Sequence, residues 1–110
     1  MKAVIKRGLI ALLGPDRFEG LAGYMMYRLL RKDFTNQFGG PLNGSQVRQE
    51  TVREISRSCA IRAIVETGTY CGDSCAFLAE TGVPVHSVEL HPRWYAFART
   101  VLESPAVSTK

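Results

Sequence analysis

The sequence predicts an α/β fold in which helices accompany a parallel sheet. From about residue 60 onward, apolar runs and helical patterns follow one another in the order strand, helix, strand, helix. A glycine-containing turn lies directly after the first strand, and helical periodicity dominates the first third of the chain. Strands joined by helices pair in parallel. We therefore predict the first two strands of an incomplete, doubly wound sheet (35–110), preceded by an N-terminal helical segment (1–34).

Two helices are predicted in the N-terminal segment. Apolar residues recur at helical spacing before Gly14-Pro15, which ends the first helix because proline disfavours a helical residue before it. The second helix begins near Pro15, a residue suited to a first helical turn. We expect its apolar stripe to pack against another element. This stripe comprises Phe18, Leu21, Ala22, Met25, Leu29 and Leu30.

Turn-forming residues at 39–44 predict a linker, and Asn43 or Ser45 is placed to cap a third helix. The apolar residues expected to face inward on that helix are Val47, Val52, Ile55 and Cys59.

The two strands are predicted at about 61–67 and 85–89. The first is nearly continuously apolar (Ile61, Ala63, Ile64, Val65), which is typical of a strand buried on both faces. A helix over 73–81 follows, with Asp73 as its N-cap and Gly82 as a left-handed C-terminal cap. A last helix over 92–103 is expected to bury Trp94, Phe97, Ala98 and Val101.

Composition excludes several classes of protein. Of the 110 residues, 45% are apolar and 22% charged, as in a globular domain, and no apolar run reaches the roughly 18 residues of a membrane span. The net charge of +4 lies entirely in residues 1–34, where seven basic residues face three acidic ones. We interpret these cations as a solvated helix face, so nucleic-acid binding is not favoured. Three cysteines without a secretion signal indicate reduced thiols and a cytoplasmic chain, with no predicted metal site.

The turn Glu66-Thr67-Gly68-Thr69-Tyr70-Cys71-Gly72-Asp73-Ser74 follows the first strand, where open parallel sheets bind ligands. Glu89 follows Gly68 by 21 residues, close to the roughly 20-residue offset of a ribose-binding acid. A dinucleotide fingerprint needs glycines where Tyr70 and Asp73 stand, and a carboxylate at a helix N-terminus repels a pyrophosphate. The pattern favours a nucleoside ligand with a ribose and no phosphate.

The segments AIVETGTYCGDS and VHSVELHP resemble motifs I and II of class I S-adenosylmethionine-dependent methyltransferases, and GGPLNGSQVRQ resembles a turn and helix that precede motif I in some bacterial members. The resemblance covers about residues 39–103 and implies a Rossmann-like fold. It implies that Glu66 lies near the cofactor's amino group, that Gly68, Thr69 and Gly72 line the cofactor, and that Glu89 binds the ribose. Tyr70 departs from the family pattern, which has a glycine at that position.

The family's third and fourth strands, which approach adenine and the methyl acceptor, have no counterpart before residue 110. We therefore expect a truncated, inactive methyltransferase part with an unknown acceptor and unknown catalytic residues. Two alternatives stay open. One is a non-catalytic remnant or interaction module that associates through an exposed sheet edge. The other is a fragment of a nicotinamide-dependent oxidoreductase.

Overall fold

The computed structural model describes residues 1–34 and 37–104. The sequence predicts no counterpart of the family's third strand before residue 110, and residues 105–110 lie outside the described residues. Two short 3-10 turns, Gln37–Gly39 and Pro41–Gly44, separate the N-terminal helices from the rest of the chain. The remaining elements are α1 (Lys2–Leu13), α2 (Pro15–Phe34), α3 (Gln46–Ser58), β1 (Ile64–Thr67), α4 (Asp73–Ala79), β2 (Val85–Val88) and α5 (Pro92–Leu102).

Strands β1 and β2 form a two-stranded parallel sheet. Ile64 pairs with Val85 and Thr67 with Val88, so the two strands are in register over their whole length. The helix α4 connects them, as the alternation of strand and helix requires. The predicted α/β class and the parallel pairing are confirmed.

The prediction that β1 is buried on both faces is wrong. Side chains alternate between half-buried and exposed along both strands. Val65 is 71% exposed and Val88 60% exposed. Successive side chains of a strand point to opposite faces, and the described helices cover only one of them. The sheet therefore has an open apolar face.

Local signals at helix ends were mostly predicted correctly. Gly14, with φ of 82°, separates α1 from α2, and the Ser45 side chain accepts the N–H of Arg48 at the start of α3. Gly82 adopts the expected left-handed φ of 77°, but α4 ends earlier, at Ala79. Asp73 is not the N-cap of α4. Gly72 occupies that position in a left-handed conformation, which leaves Asp73 in the first turn.

The predicted inward face of α3 is wrong for three of its four residues. Val47 is 74% and Ile55 47% exposed, and Cys59 is exposed as well; Val52 is half-buried. The helix is held mainly at its start, where the Gln49 side chain donates to the carbonyl oxygen of Pro41. It also contacts α4 through the Arg53 guanidinium, which lies 5.1 Å from the centre of the Phe77 ring. Val47 and Ile55 find no cover among the described residues.

The main helix contact joins α2 to α5. Phe97 of α5 is fully buried, and the rings of Tyr27 and Phe34 from α2 meet it edge-on at centroid distances of 5.9 and 5.8 Å. Arg93 donates to Glu19 at 2.6 Å, and this hydrogen bond is the main reason that the pKa of Glu19 is lowered from its ordinary value. The expected burial on α5 is confirmed for Phe97 and Ala98; Trp94 and Val101 are half-buried.

The face that α2 uses for this contact differs from the predicted stripe. Leu21, Met25, Leu29 and Leu30 are 44–71% exposed. The contact is centred instead on Gly23, which is buried because it has no side chain to separate the two backbones. A glycine inside a helix permits such close approach at some cost in helix stability.

The close approach at Gly23 predicts that Gly23→Ala lowers the free energy of unfolding. A Cβ atom there would overlap the carbonyl oxygen of Arg93, and forcing atoms into a packed contact costs about 1–3 kcal/mol. Gly20→Ala is the matched control, because no atom lies within 4 Å of its Cβ position. The control should raise stability by about 0.5–1 kcal/mol through helix propensity. Urea unfolding followed by circular dichroism measures both, and equal effects would contradict the packing role of Gly23.

Candidate functional site

The candidate site lies where β1 and β2 end. The loop after β1 (68–72) starts with the Gly68 N–H donating to the carbonyl oxygen of Val88 at 2.8 Å. The Gly72 N–H then donates to the carbonyl oxygen of Thr69 at 2.9 Å and closes a turn. The structure thus brings the glycine loop against the carboxyl end of β2, where Glu89 stands.

Three residues of this loop adopt left-handed backbone conformations. Their φ angles are 82° at Gly68, 49° at Tyr70 and 87° at Gly72. Glycine adopts such angles readily, whereas a residue with a Cβ is strained there by about 1–3 kcal/mol. The loop therefore has the conformation of a glycine at Tyr70, although the residue is a tyrosine.

Two contacts hold Tyr70 in this conformation. Its ring lies on Trp94 of α5, with centroids 4.4 Å apart and an interplanar angle of 52°. Its backbone N–H donates to Oε2 of Glu89 at 2.9 Å. Aromatic pairs of this kind contribute about 0.5–1.5 kcal/mol beyond burial, and hydrogen bonds to a carboxylate are stronger than neutral ones. Together these contacts offset the backbone strain.

Glu89 joins the loops that follow the two strands. While Oε2 accepts the N–H of Tyr70, Oε1 accepts the N–H of His91 at 2.9 Å. A carboxylate oxygen has two lone pairs, so each oxygen keeps capacity for one further donor. Next to it, Leu90 is 96% exposed. Glu89 thus combines a structural contact with unused acceptor capacity at the surface.

Glu66 lies on the covered face of the sheet at the end of a short hydrogen-bond chain. The Ser87 hydroxyl donates to its Oε2 at 2.6 Å. Because that hydroxyl has one proton, the Thr69 hydroxyl, which also contacts Ser87, must donate to it. The chain thus runs from Thr69 through Ser87 to Glu66.

Burial raises the pKa of the Glu66 carboxyl above its ordinary value, and hydrogen bonds from Ser87 and the Cys75 thiol oppose this in part. Burial likewise raises the pKa of the Cys75 thiol, and that of Cys71 to about 11. Both thiols are therefore protonated near neutral pH, where the thiolate needed for nucleophilic attack is scarce.

A cavity of about 220 Å³ opens between the end of β2 and α5. Its polar lining comes from Thr69, Ser87 and Glu89 and from the ion pair of Arg99 with Glu103 at the end of α5. Tyr95, Ala98 and Leu102 add apolar surface. This volume is below the roughly 300–1,000 Å³ of typical ligand pockets. The cavity is therefore large enough for only part of a typical small-molecule ligand.

The structure brings together four of the five predicted site residues: Glu66 and Thr69 through Ser87, Gly68 at the start of the loop, and Glu89 through Tyr70. Gly72 is different, because it is buried with its Cβ position facing Ala98 and Leu102 of α5. Sequence reasoning missed Ser87. The available signal was its position: Ser87 is a small polar residue two positions after Val85, and therefore on the same, covered face of β2.

No cluster of three or more potential metal ligands occurs within the residues described. Over the same residues, no helix is long and apolar enough to cross a membrane. Comparison of the chain with protein-family models, curated proteins and solved structures finds no match.

The raised pKa of Glu66 predicts how Glu66→Gln changes stability with pH. A carboxyl with a higher pKa in the folded state stabilises the fold below its unfolded-state pKa of roughly 4.3, and this contribution is lost as pH rises through the folded-state value. Glu66→Gln cannot ionise, so its stability does not fall over this pH range for that reason. Its free energy of unfolding relative to wild type should therefore increase between about pH 4 and 7.

Urea unfolding across this pH range is the measurement, with Glu50→Gln on the exposed side of α3 as the control. A constant difference between Glu66→Gln and wild type at every pH would show that Glu66 is as easily ionised in the fold as in the unfolded chain.

Proposed function

We propose that this chain is the S-adenosylmethionine-binding part of a class I methyltransferase with a Rossmann-like sheet. One observation carries the proposal: two carboxylates at the ends of adjacent parallel strands converge on a loop with three left-handed positions. Ligands of open parallel sheets bind at this edge. The left-handed backbone at Tyr70, which is the conformation that glycine favours, supports the proposal although the residue departs from the resembled motif.

The chemistry of the site suits a cationic nucleoside. Glu66 offers a negative charge to an amino group, and the spare lone pairs of Glu89 match two vicinal ribose hydroxyls. The apolar lining beside Glu89, together with exposed Leu90, provides contact surface for a base. A dinucleotide pyrophosphate would instead meet Asp73 in the first turn of α4, where a negative charge opposes it.

Methyl transfer depends mainly on positioning the acceptor in line with the sulfonium carbon. None of the described residues outside the cofactor site is arranged to do this. The uncovered sheet face at Val65 and Val88 fits a larger domain, in which further elements cover the sheet and bind the acceptor. We therefore propose that the chain is inactive by itself and that its acceptor is determined by those further elements. We also propose that it is cytoplasmic, because its three cysteines are free thiols.

A second candidate function is a non-catalytic interaction module. The observation that favours it is the same open face, on which Val65 and Val88 lie beside strand edges that pair with no other described strand. Exposed strand edges pair readily with other chains. Cofactor binding discriminates between the two candidates, because an interaction module does not require it.

Cofactor choice gives the direct test. We fuse the chain to the C-terminal half of a class I methyltransferase domain, so that the sheet is complete, and titrate the fusion by calorimetry. S-adenosylmethionine should bind and NAD should not, since Tyr70 and Asp73 obstruct a pyrophosphate. Micromolar affinity for NAD with none for S-adenosylmethionine would favour the nicotinamide-dependent oxidoreductase. Affinity for neither would favour the interaction module.

In the same fusion, Glu89→Gln should weaken binding of S-adenosylmethionine. Loss of charge-assisted hydrogen bonds costs about 1.5–3 kcal/mol, which corresponds to roughly ten-fold to more than a hundred-fold in affinity. Glu80→Gln, exposed at the end of α4, controls for the change in charge.

The side-chain amide that Glu89→Gln introduces also accepts fewer backbone N–H groups than the carboxylate does. Thermal unfolding of both variants therefore accompanies the titrations. Equal affinities for the two variants, with both folded, would remove Glu89 from the site.

A further inference from the structure

Helix α1 presents an exposed apolar side. Val4 is 73%, Ile5 56% and Leu12 80% exposed, and Leu9 is 37% exposed. Ile5, Leu9 and Leu12 are three, four and seven positions apart, and Val4 is eight from Leu12, so the four residues cover one broad side of the helix, here called the stripe. The helix packs on α2 through other residues, among them half-buried Ile10 and Leu13. Within the described chain, the stripe has no apolar cover.

The charge of α1 is entirely positive. Lys2, Lys6 and Arg7 are exposed, and the helix contains no acidic residue. Residues 1–34 carry seven basic and three acidic residues, a balance of +4, whereas 35–110 carry seven of each. The net charge of the chain is therefore concentrated where the apolar stripe lies.

Helix α2 repeats this combination. Leu21, Met25 and Leu29, spaced by four residues, are 48%, 44% and 71% exposed. Exposed Arg28 and Lys32 lie within one turn of these side chains. An ordinary solvated helix face carries charged residues without such a row of large apolar ones. The exposure of these residues therefore argues against interpreting the N-terminal cations as a solvated face alone.

We propose that α1 binds the surface of anionic lipid bilayers and lies in the plane of the interface. Interfacial helices combine a basic polar side with an apolar side that enters the boundary between headgroups and acyl chains. Long Lys and Arg side chains reach from that depth to the phosphates. At 12 residues, α1 is about 18 Å long, well short of the roughly 30 Å hydrocarbon core, so it lies on the bilayer and does not cross it.

Charge complementarity favours a bilayer over the other possible occupants. A second copy of α1 packed on the same stripe would bring two sets of like charges together, which opposes association. A nucleic acid would neutralise the cations but leave Val4, Ile5 and Leu12 in water. An anionic bilayer satisfies both the charged and the apolar groups of the helix. The proposal does not depend on cofactor binding, and its test contains no nucleoside.

The test is flotation of the 110-residue chain with vesicles. One set contains phosphatidylcholine with an equal part of phosphatidylglycerol, and the other phosphatidylcholine alone. We expect binding to the anionic set that weakens as salt rises from about 0.05 to 0.5 M, because salt screens surface charges. Ile5→Ser with Leu12→Ser should reduce binding by at least about ten-fold, since two exposed apolar side chains lose their contact with lipid.

The charge variant combines Lys2→Gln, Lys6→Gln and Arg7→Gln. Each basic residue near an anionic surface contributes roughly five-fold in affinity, so a loss of at least about ten-fold is expected. The matched controls are on or near α3, far along the chain from α1. Val47→Ser with Ile55→Ser removes two exposed apolar residues. Arg48→Gln, Arg57→Gln and Arg62→Gln together remove three exposed cations. Both controls should stay within about two-fold of wild type.

Three results would overturn the proposal. The first is no binding of the wild-type chain to anionic vesicles at low salt. The second is an equal loss of binding in the α1 variants and the α3 controls, which would mean adsorption by overall charge and hydrophobicity. The third is a wild-type dimer that Ile5→Ser with Leu12→Ser converts to a monomer, measured by light scattering, because the stripe would then be covered by a second copy. Circular dichroism verifies that every variant keeps its helices.

Discussion

The arrangement of the other elements depends on the contacts of the buried Phe97 ring. Tyr27 and Phe34 of α2 pack against it edge-on, and Trp94, one turn earlier on α5, completes the cluster. Trp94 also contacts the ring of Tyr70, which lies in the loop after β1. Aromatic contacts therefore extend without interruption from α2 to the candidate site. Because of this connection, α2 supports the conformation of the loop as well as the fold.

This connection explains how a tyrosine occupies a position where the resembled motif has a glycine. The left-handed conformation of Tyr70 costs roughly 1–3 kcal/mol. The contact with Trp94 and the hydrogen bond to Glu89 contribute stabilisation of similar size. A residue with a Cβ atom can thus hold a left-handed backbone conformation, provided that its contacts offset the strain that glycine would avoid.

The sequence predicted the positions of the helices and strands better than which of their residues are buried. Alternation of apolar runs located both strands, and Ser45 and Pro15 marked helix starts, because these signals depend on neighbouring residues alone. The buried faces of α2, α3 and β1 were predicted less well. Periodicity identifies residues that share a side of a helix, but it does not show which side meets a partner. On α2, Gly23 determines which side is buried. Because it has no side chain, α5 can approach a face that is less apolar than the predicted stripe.

At the candidate site, the sequence predicted the two carboxylates, Glu66 and Glu89, but not their hydrogen-bond partners. Glu66 lowers the stability of the fold. Burial disfavours its ionised form, and an apolar side chain on the covered face of the strand would stabilise the fold more. Ser87 and Cys75 donate to it and reduce that cost without removing it. A structural role would be served better by a neutral residue in this position. This cost fits the proposal that the charge of Glu66 is kept for a cationic ligand.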